Sequence, residues 1–153
     1  MPKKTHEHVS TKTRDLMEVP PIVVSADVTI DEAAVIMWER NIGSVIVVDK
    51  AGIMVGILTE RDLLFSVSKS LTGRGIPISS IMSKTSLKAS PNESIVTVVD
   101  RMIKAGVRHL PVVDRNERPI GMISMRDAMS ISEPLLKFVV RSTAKKRRSS
   151  PKS

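Results

Sequence analysis

The sequence predicts an α/β protein made of two tandem copies of one small unit, each in the order strand, helix, strand, strand, helix. Three observations carry this. First, the chain matches itself without a gap at a shift of 65 residues. Met17 falls on Met82, Ser25 on Ser90, Ile30 on Ile95, Met37 on Met102, Val47-Val48-Asp49 on Val112-Val113-Asp114, Gly56 on Gly121 and Arg61-Asp62 on Arg126-Asp127. Second, the apolar spacing inside each copy switches from the three-and-four rhythm of a helix to short apolar runs bounded by turn residues. Third, a hydrophobic fraction of 41% with 26% charged residues is that of a globular chain, and 153 residues suffice for one ordinary core.

The elements follow in order. Ile22-Val23-Val24, behind Pro20-Pro21, and Ser86-Leu87-Lys88 are brief first strands; a proline disfavours the helical region for the residue before it. Thr29-Ile30-Asp31-Glu32 has capping-box spacing, in which the hydroxyl and the later carboxylate satisfy amide donors at a helix start. The helix that begins there buries Ile30, Ala33, Ala34, Met37 and Trp38, and its counterpart buries Ile95, Val98, Val99, Met102 and Ile103. Asn41 to Gly43 and Gly106 end these helices, because asparagine and glycine tolerate the left-handed conformation. Two strands come next, Val45 to Asp49 and Val55 to Leu58 around Lys50-Ala51-Gly52, repeated as Leu110 to Asp114 and Ile120 to Ile123. Thr59 and Ser124, both competent N-caps, open the closing helices through Leu63-Leu64 and Ala128-Met129.

This reading divides the chain into a basic arm (1–14), a first repeat (15–72), a linker (73–79), a second repeat (80–136) and a basic tail (137–153). Of the net charge of +8, residues 1–14 carry +3 (four basic, one acidic) and 137–153 carry +7. That leaves 13 basic and 15 acidic side chains on 15–136, a net of −2. A polyanionic partner would therefore meet the ends rather than the body. Cysteine is absent, which excludes disulfides, thiol catalysis and cysteine-ligated zinc. The N-terminus lacks the apolar stretch of a secretory signal and no apolar run is long enough to span a bilayer, so a cytoplasmic protein without a membrane role is expected. No nucleophile with a spaced base, no helical His-Glu-x-x-His and no glycine-rich phosphate loop is present, so neither an enzyme nor a catalytic cofactor is expected. His6 and His8 flank Glu7 but lack a third placed ligand, and no metal site is assigned.

The matched segments Gly56-Ile57-Leu58-Thr59-Glu60-Arg61-Asp62 and Gly121-Met122-Ile123-Ser124-Met125-Arg126-Asp127 resemble the signature that closes a CBS domain, named after cystathionine beta-synthase. Asn41-Ile42-Gly43-Ser44-Val45-Ile46-Val47-Val48-Asp49 and Gly106-Val107-Arg108-His109-Leu110-Pro111-Val112-Val113-Asp114 resemble the second-strand pattern of that family. The resemblance, to a stand-alone and archaeal-like CBS pair or Bateman module, covers almost all of 13–131. It implies two units about a pseudo-twofold axis, with clefts that hold an adenosine compound as regulatory ligand: AMP, ADP, ATP or S-adenosylmethionine. It also implies a homodimer through the helices.

The residues allow such a ligand on their own chemistry. A carboxylate in the first turn of a helix can accept bonds from both ribose hydroxyls, while a cap hydroxyl and free helix-start amides favour phosphate. Thr59, Arg61 and Asp62, and Ser124, Arg126 and Asp127, have that arrangement. Arg108 and His109 are candidate phosphate ligands, since arginine pairs with phosphate bidentately. Gly43 and Ser44 hold the matching place in the first copy without a cation, and Ile46 stands where the second copy has Pro111. Adenine would lie against Ile22, Val45 and Leu110. The alternatives stay open: Thr59 and Ser124 are also ordinary helix starts, and Arg108 and His109 also suit surface or interface contacts.

The basic tail has two readings as well. As a solvated end it aids solubility. As a contact for RNA it would use Arg141, Lys145, Lys146, Arg147, Arg148 and Lys152, neutralising phosphates without reading sequence, and two Phe with one Trp argue against base stacking. The alternative function is therefore an RNA- or ribosome-associated factor with the CBS body as dock or switch.

Overall fold

A computed structural model describes residues 11–130 and 133–149. The first copy contains β1 (Val23–Ser25), α1 (Ile30–Arg40), β2 (Ser44–Val48), β3 (Met54–Thr59) and α2 (Glu60–Ser68). The second contains α3 (Ile95–Ala105), β4 (His109–Val113), β5 (Pro119–Ser124) and α4 (Met125–Met129), and α5 (Glu133–Ser149) follows. In the first sheet β1 runs parallel to β2, which is antiparallel to β3; in the second, β4 and β5 are antiparallel.

Local signals act as expected at the helix ends. Glu32 N donates to Thr29 Oγ1 at 3.2 Å and Thr29 N to Glu32 Oε2 at 3.0 Å, closing the capping box of α1. Asn41 and Gly106 take left-handed conformations, with φ of 52° and 70°, and end α1 and α3.

The expected first strand of the second copy, Ser86 to Lys88, is reduced to one parallel bridge between Ala89 and Val112. The cause is Pro111. In the first copy Ile46 N donates to Ile22 O at 3.3 Å, but the proline at the matching position has no N–H to give to Leu87. Trp38, expected in the buried face of α1, is instead 86% exposed, while Ile30, Ala33 and Met37 are buried.

The two copies exchange their leading segments. Glu18 pairs with Met122 (Glu18 N to Met122 O 2.8 Å, Met122 N to Glu18 O 3.1 Å), and Ser83 pairs with Ile57 (2.9 and 3.0 Å). These contacts are related by the 65-residue shift. So are Ile95 N to Thr11 O with Ile30 N to Ile76 O, and Thr13 N to Glu93 O with Ile78 N to Val28 O. Reciprocal contacts of this kind are what a twofold relation produces.

Two cores result. One joins Val24, Ile30, Ala33, Met37, Val45, Val47 and Leu58 to Ile78, with Ile76, Ile81 and Met82 packed on it. The other joins Ile95, Val98, Val99, Met102, Leu110, Val112 and Ile123, with Leu16 and Met17 packed on it. The stretch 73–79, expected as a linker, thus places Ile78 in the first core, and residues just inside the expected arm bind the second half.

Residues 137–149, expected as a tail, belong to α5, which packs against α3 and α4. Val139 lies on the second core, and Lys146 Nζ donates to Ile103 O at 3.0 Å at the end of α3. The helix forms because 133–149 is rich in good helix formers, and Val139 sets it against that core.

Candidate functional site

Two clefts lie where the halves meet. One, of about 580 Å³, brings Thr59, Arg61 and Asp62 of the first copy against Leu87, Arg108, His109, Leu110 and Pro111 of the second. The other, of about 520 Å³, brings Ser124, Arg126 and Asp127 against Asn41, Ile42, Gly43 and Ser44. Both fall in the range of small-molecule sites, about 300–1,000 Å³. Gly43, Ser44, Arg108 and His109 line both.

Each carboxylate is held by its helix start. Asp62 Oδ2 accepts from Thr59 N at 2.8 Å and Thr59 Oγ1 at 3.1 Å, and Asp62 N donates to Thr59 Oγ1 at 3.3 Å. Asp127 Oδ2 accepts from Ser124 N at 3.1 Å, and Asp127 N donates to Ser124 Oγ at 3.0 Å. In both residues the second carboxylate oxygen accepts no hydrogen bond among the described residues, and it is the group that could meet ribose hydroxyls.

The helix-start amides are mostly engaged, contrary to the expectation that they are free. Glu60 N donates to Gly43 O at 3.0 Å and Met125 N to Arg108 O at 2.8 Å, again a pair related by the repeat. An anion in either cleft would depend on side-chain cations. Arg61, Arg108 and Arg126 are exposed and form no ion pair among the described residues. His109 is half-buried, and burial lowers its pKa below the usual imidazole value despite the nearby carboxylates of Asp127, Glu18 and Glu60; the Arg108 charge acts in the same direction as burial.

Not every expected residue reaches a cleft. Val45 is wholly buried in the first core and lines neither cleft. Ile22 packs on that same core and lines neither cleft. Leu87, its counterpart in the second copy, does line the Asp62 cleft. Sequence reasoning missed Glu18, Ser83, Glu60 and the methionines Met122, Met125 and Met129, all cleft-lining. The repeat alignment placed Glu18 opposite Ser83, but nothing local showed that each crosses to the other half.

Of the tail candidates, Arg141, Lys145, Lys146, Arg147 and Arg148 lie on α5, and Lys152 lies outside the described residues, as do His6 and His8. Among the described residues no group of three His, Asp or Glu could hold a metal, and no helix is long and apolar enough to cross a membrane.

A duplicated unit with exchanged leading segments and a cleft beside each closing helix defines a tandem-domain architecture. The family model described as CBS domain matches residues 14–69 and 78–133, and the chain belongs to the CBS-domain family. An uncharacterised 17.7 kDa protein of Acidianus ambivalens is 35% identical over 121 residues, covering 78% of this chain and 71% of its own. The CBS domain pair of protein MJ0100, in complex with 5'-methylthioadenosine and S-adenosyl-L-methionine, has a TM-score of 0.69 at 31% identity, covering 78% of this chain and 93% of its own. The CBS domain protein PAE2072 of Pyrobaculum aerophilum, complexed with AMP, shares the fold with a TM-score of 0.75 at 21% identity, covering 86% and 99%. Curated relatives named as enzymes are matched over 22–26% of their own length.

Proposed function

We propose that the chain is a non-enzymatic regulatory module that binds an adenosine compound, AMP, ADP, ATP or S-adenosylmethionine, in the clefts beside Asp62 and Asp127. The observation that carries this is the carboxylate at each helix start, with one oxygen that accepts no hydrogen bond among the described residues, lining a cavity of ligand size together with an arginine that forms no ion pair among them. The adenosine ligands of the MJ0100 domain pair, a relative at 31% identity, support the ligand class.

Thermal unfolding with each compound tests the reading. A ligand at about 100 times its Kd adds about 2.7 kcal/mol, which raises the midpoint by roughly 5–11 °C for a domain of this size. Asp62→Asn with Asp127→Asn keeps a capping acceptor and removes both charges; this double variant should stay folded and show no shift. Unchanged shifts in the double variant would overturn the site assignment.

A homodimer through the helices is supported by the face of α1 and α2, where Val35, Trp38, Leu64 and Phe65 are at least half exposed. On the second copy the matching position of Trp38 is Ile103, which packs on the second core and whose carbonyl accepts from Lys146 Nζ of α5.

A second reading, contact with RNA or the ribosome, is supported by Arg141, Lys145 and Arg148, which recur at four and three residues along the exposed surface of α5. Replacing these three by Ala should abolish salt-sensitive RNA binding; undiminished binding would exclude the helix as its source.

A further inference from the structure

We propose that the two clefts are coupled through Arg108: a phosphate-bearing ligand in one draws the shared guanidinium to itself and weakens binding of a second such ligand in the other. The inference rests on the nucleotide reading above and adds a rule for how the two sites communicate.

Contacts between the halves come in pairs related by the 65-residue shift, and the walls common to both clefts are the matched pairs Gly43 with Arg108 and Ser44 with His109. A twofold arrangement with two equivalent clefts would supply two equivalent cations. Here one copy contributes arginine and the other glycine, so on the shared wall a single guanidinium serves both sites, beside Arg61 in one and Arg126 in the other.

Charge makes the sharing consequential. Apart from Arg108, the charged lining of the Asp62 cleft is Arg61 against Glu60 and Asp62, a sum of −1. That of the Asp127 cleft is Arg126 against Glu18 and Asp127, again −1. Only the cleft that holds Arg108 becomes neutral before a phosphate arrives; the other presents net negative charge to an anion. Helix-start amides offer little compensation, because those of Glu60, Asp62, Met125 and Asp127 already have partners.

Arg108 is free to be recruited. Its main chain is clipped to α4 by the bond from Met125 N, while its exposed side chain has no partner among the described residues. A guanidinium grips a phosphate through a planar fork, so bidentate pairing with one ligand excludes the same pairing with another.

Calorimetric titration of the full chain with AMP, and with adenosine as the uncharged control, tests the coupling. AMP should fill the clefts with affinities that differ by about tenfold or more, in the usual range of inter-site coupling, whereas adenosine should fill both alike. Gly43→Arg supplies the second cation at the matching position. A Cβ there meets nothing closer than the Glu60 carboxyl at 3.4 Å. In this variant the two AMP affinities should converge, the weaker site gaining, while Arg108→Ala should leave both sites weak and equal. Two equal AMP sites in the unaltered chain, or an unchanged affinity ratio in Gly43→Arg, would overturn the coupling and leave the nucleotide reading standing. Absence of binding by AMP and adenosine alike would overturn both.

Discussion

Replacing Gly56 or Gly121 by alanine tests the exchange of leading segments on which both clefts depend. Neither glycine has a positive φ, so the requirement is space rather than backbone freedom. A Cβ on Gly56 would stand 2.7 Å from Ser83 O and 2.9 Å from Met82 Sδ; on Gly121 it would stand 2.8 Å from Met17 Sδ and 3.0 Å from Glu18 O. A thioether can swing away, but a carbonyl oxygen held in a backbone pair cannot. Relief requires the crossing segment to lift and break its two hydrogen bonds, 2.9 and 3.0 Å for Ser83 with Ile57 and 2.8 and 3.1 Å for Glu18 with Met122. Two bonds contribute about 1 kcal/mol each and overpacking costs about 1–3 kcal/mol, so each substitution should destabilise by roughly 3–5 kcal/mol. Urea unfolding followed by circular dichroism reads this as a lowered midpoint at unchanged slope. Because Ser83 and Ile57 line the Asp62 cleft, and Glu18 and Met122 the Asp127 cleft, each variant should also weaken ligand binding mainly at its own cleft. Stability within about 0.5 kcal/mol of the unaltered chain for both variants would show that the crossing is not tightly packed, and would refute this reasoning.

Two further outcomes follow from the same geometry. Trp38→Glu places a charge in the exposed α1 and α2 face, and sedimentation should show loss of self-association with little change in melting temperature, since Trp38 lies outside the core; an unaltered sedimentation coefficient would remove this face from the contact. His109 has a lowered pKa, chiefly from burial, so the folded state disfavours its protonation. Its contribution to stability should be fully present above about pH 6.5, the ordinary value, and fade as pH falls toward the lowered one. His109→Gln should flatten that part of the stability profile measured between pH 7.5 and pH 5; an identical profile in the variant would show that His109 does not titrate differently on folding.

Much of the local structure was legible in the residues. Thr29 with Glu32, Thr59 with Asp62 and Ser124 with Asp127 announce helix starts because capping involves groups three residues apart. Asn41 and Gly106 announce helix ends by their own conformational preferences. The register of the repeat located both carboxylates and the single arginine between them, since a duplicated sequence implies duplicated positions. Two departures had local causes. Pro111 carried the loss of the first strand of the second copy in its missing N–H, and Val139 sets 133–149 against a core that the charge count alone did not suggest.

By itself, the sequence determined the repeated unit, the order of its elements and the helix starts that hold Asp62 and Asp127. Only the tertiary structure decided that residues 11–18 complete the second half and 76–83 the first, that Leu87 rather than Ile22 faces a cleft, that Trp38 is left outside, and that Gly43 and Arg108 share one wall between two sites. The physical reason is separation along the chain. Caps and turns depend on neighbours a few residues away, whereas pairings such as Glu18 with Met122 depend on packing between residues about a hundred positions apart, which propensity and periodicity do not encode.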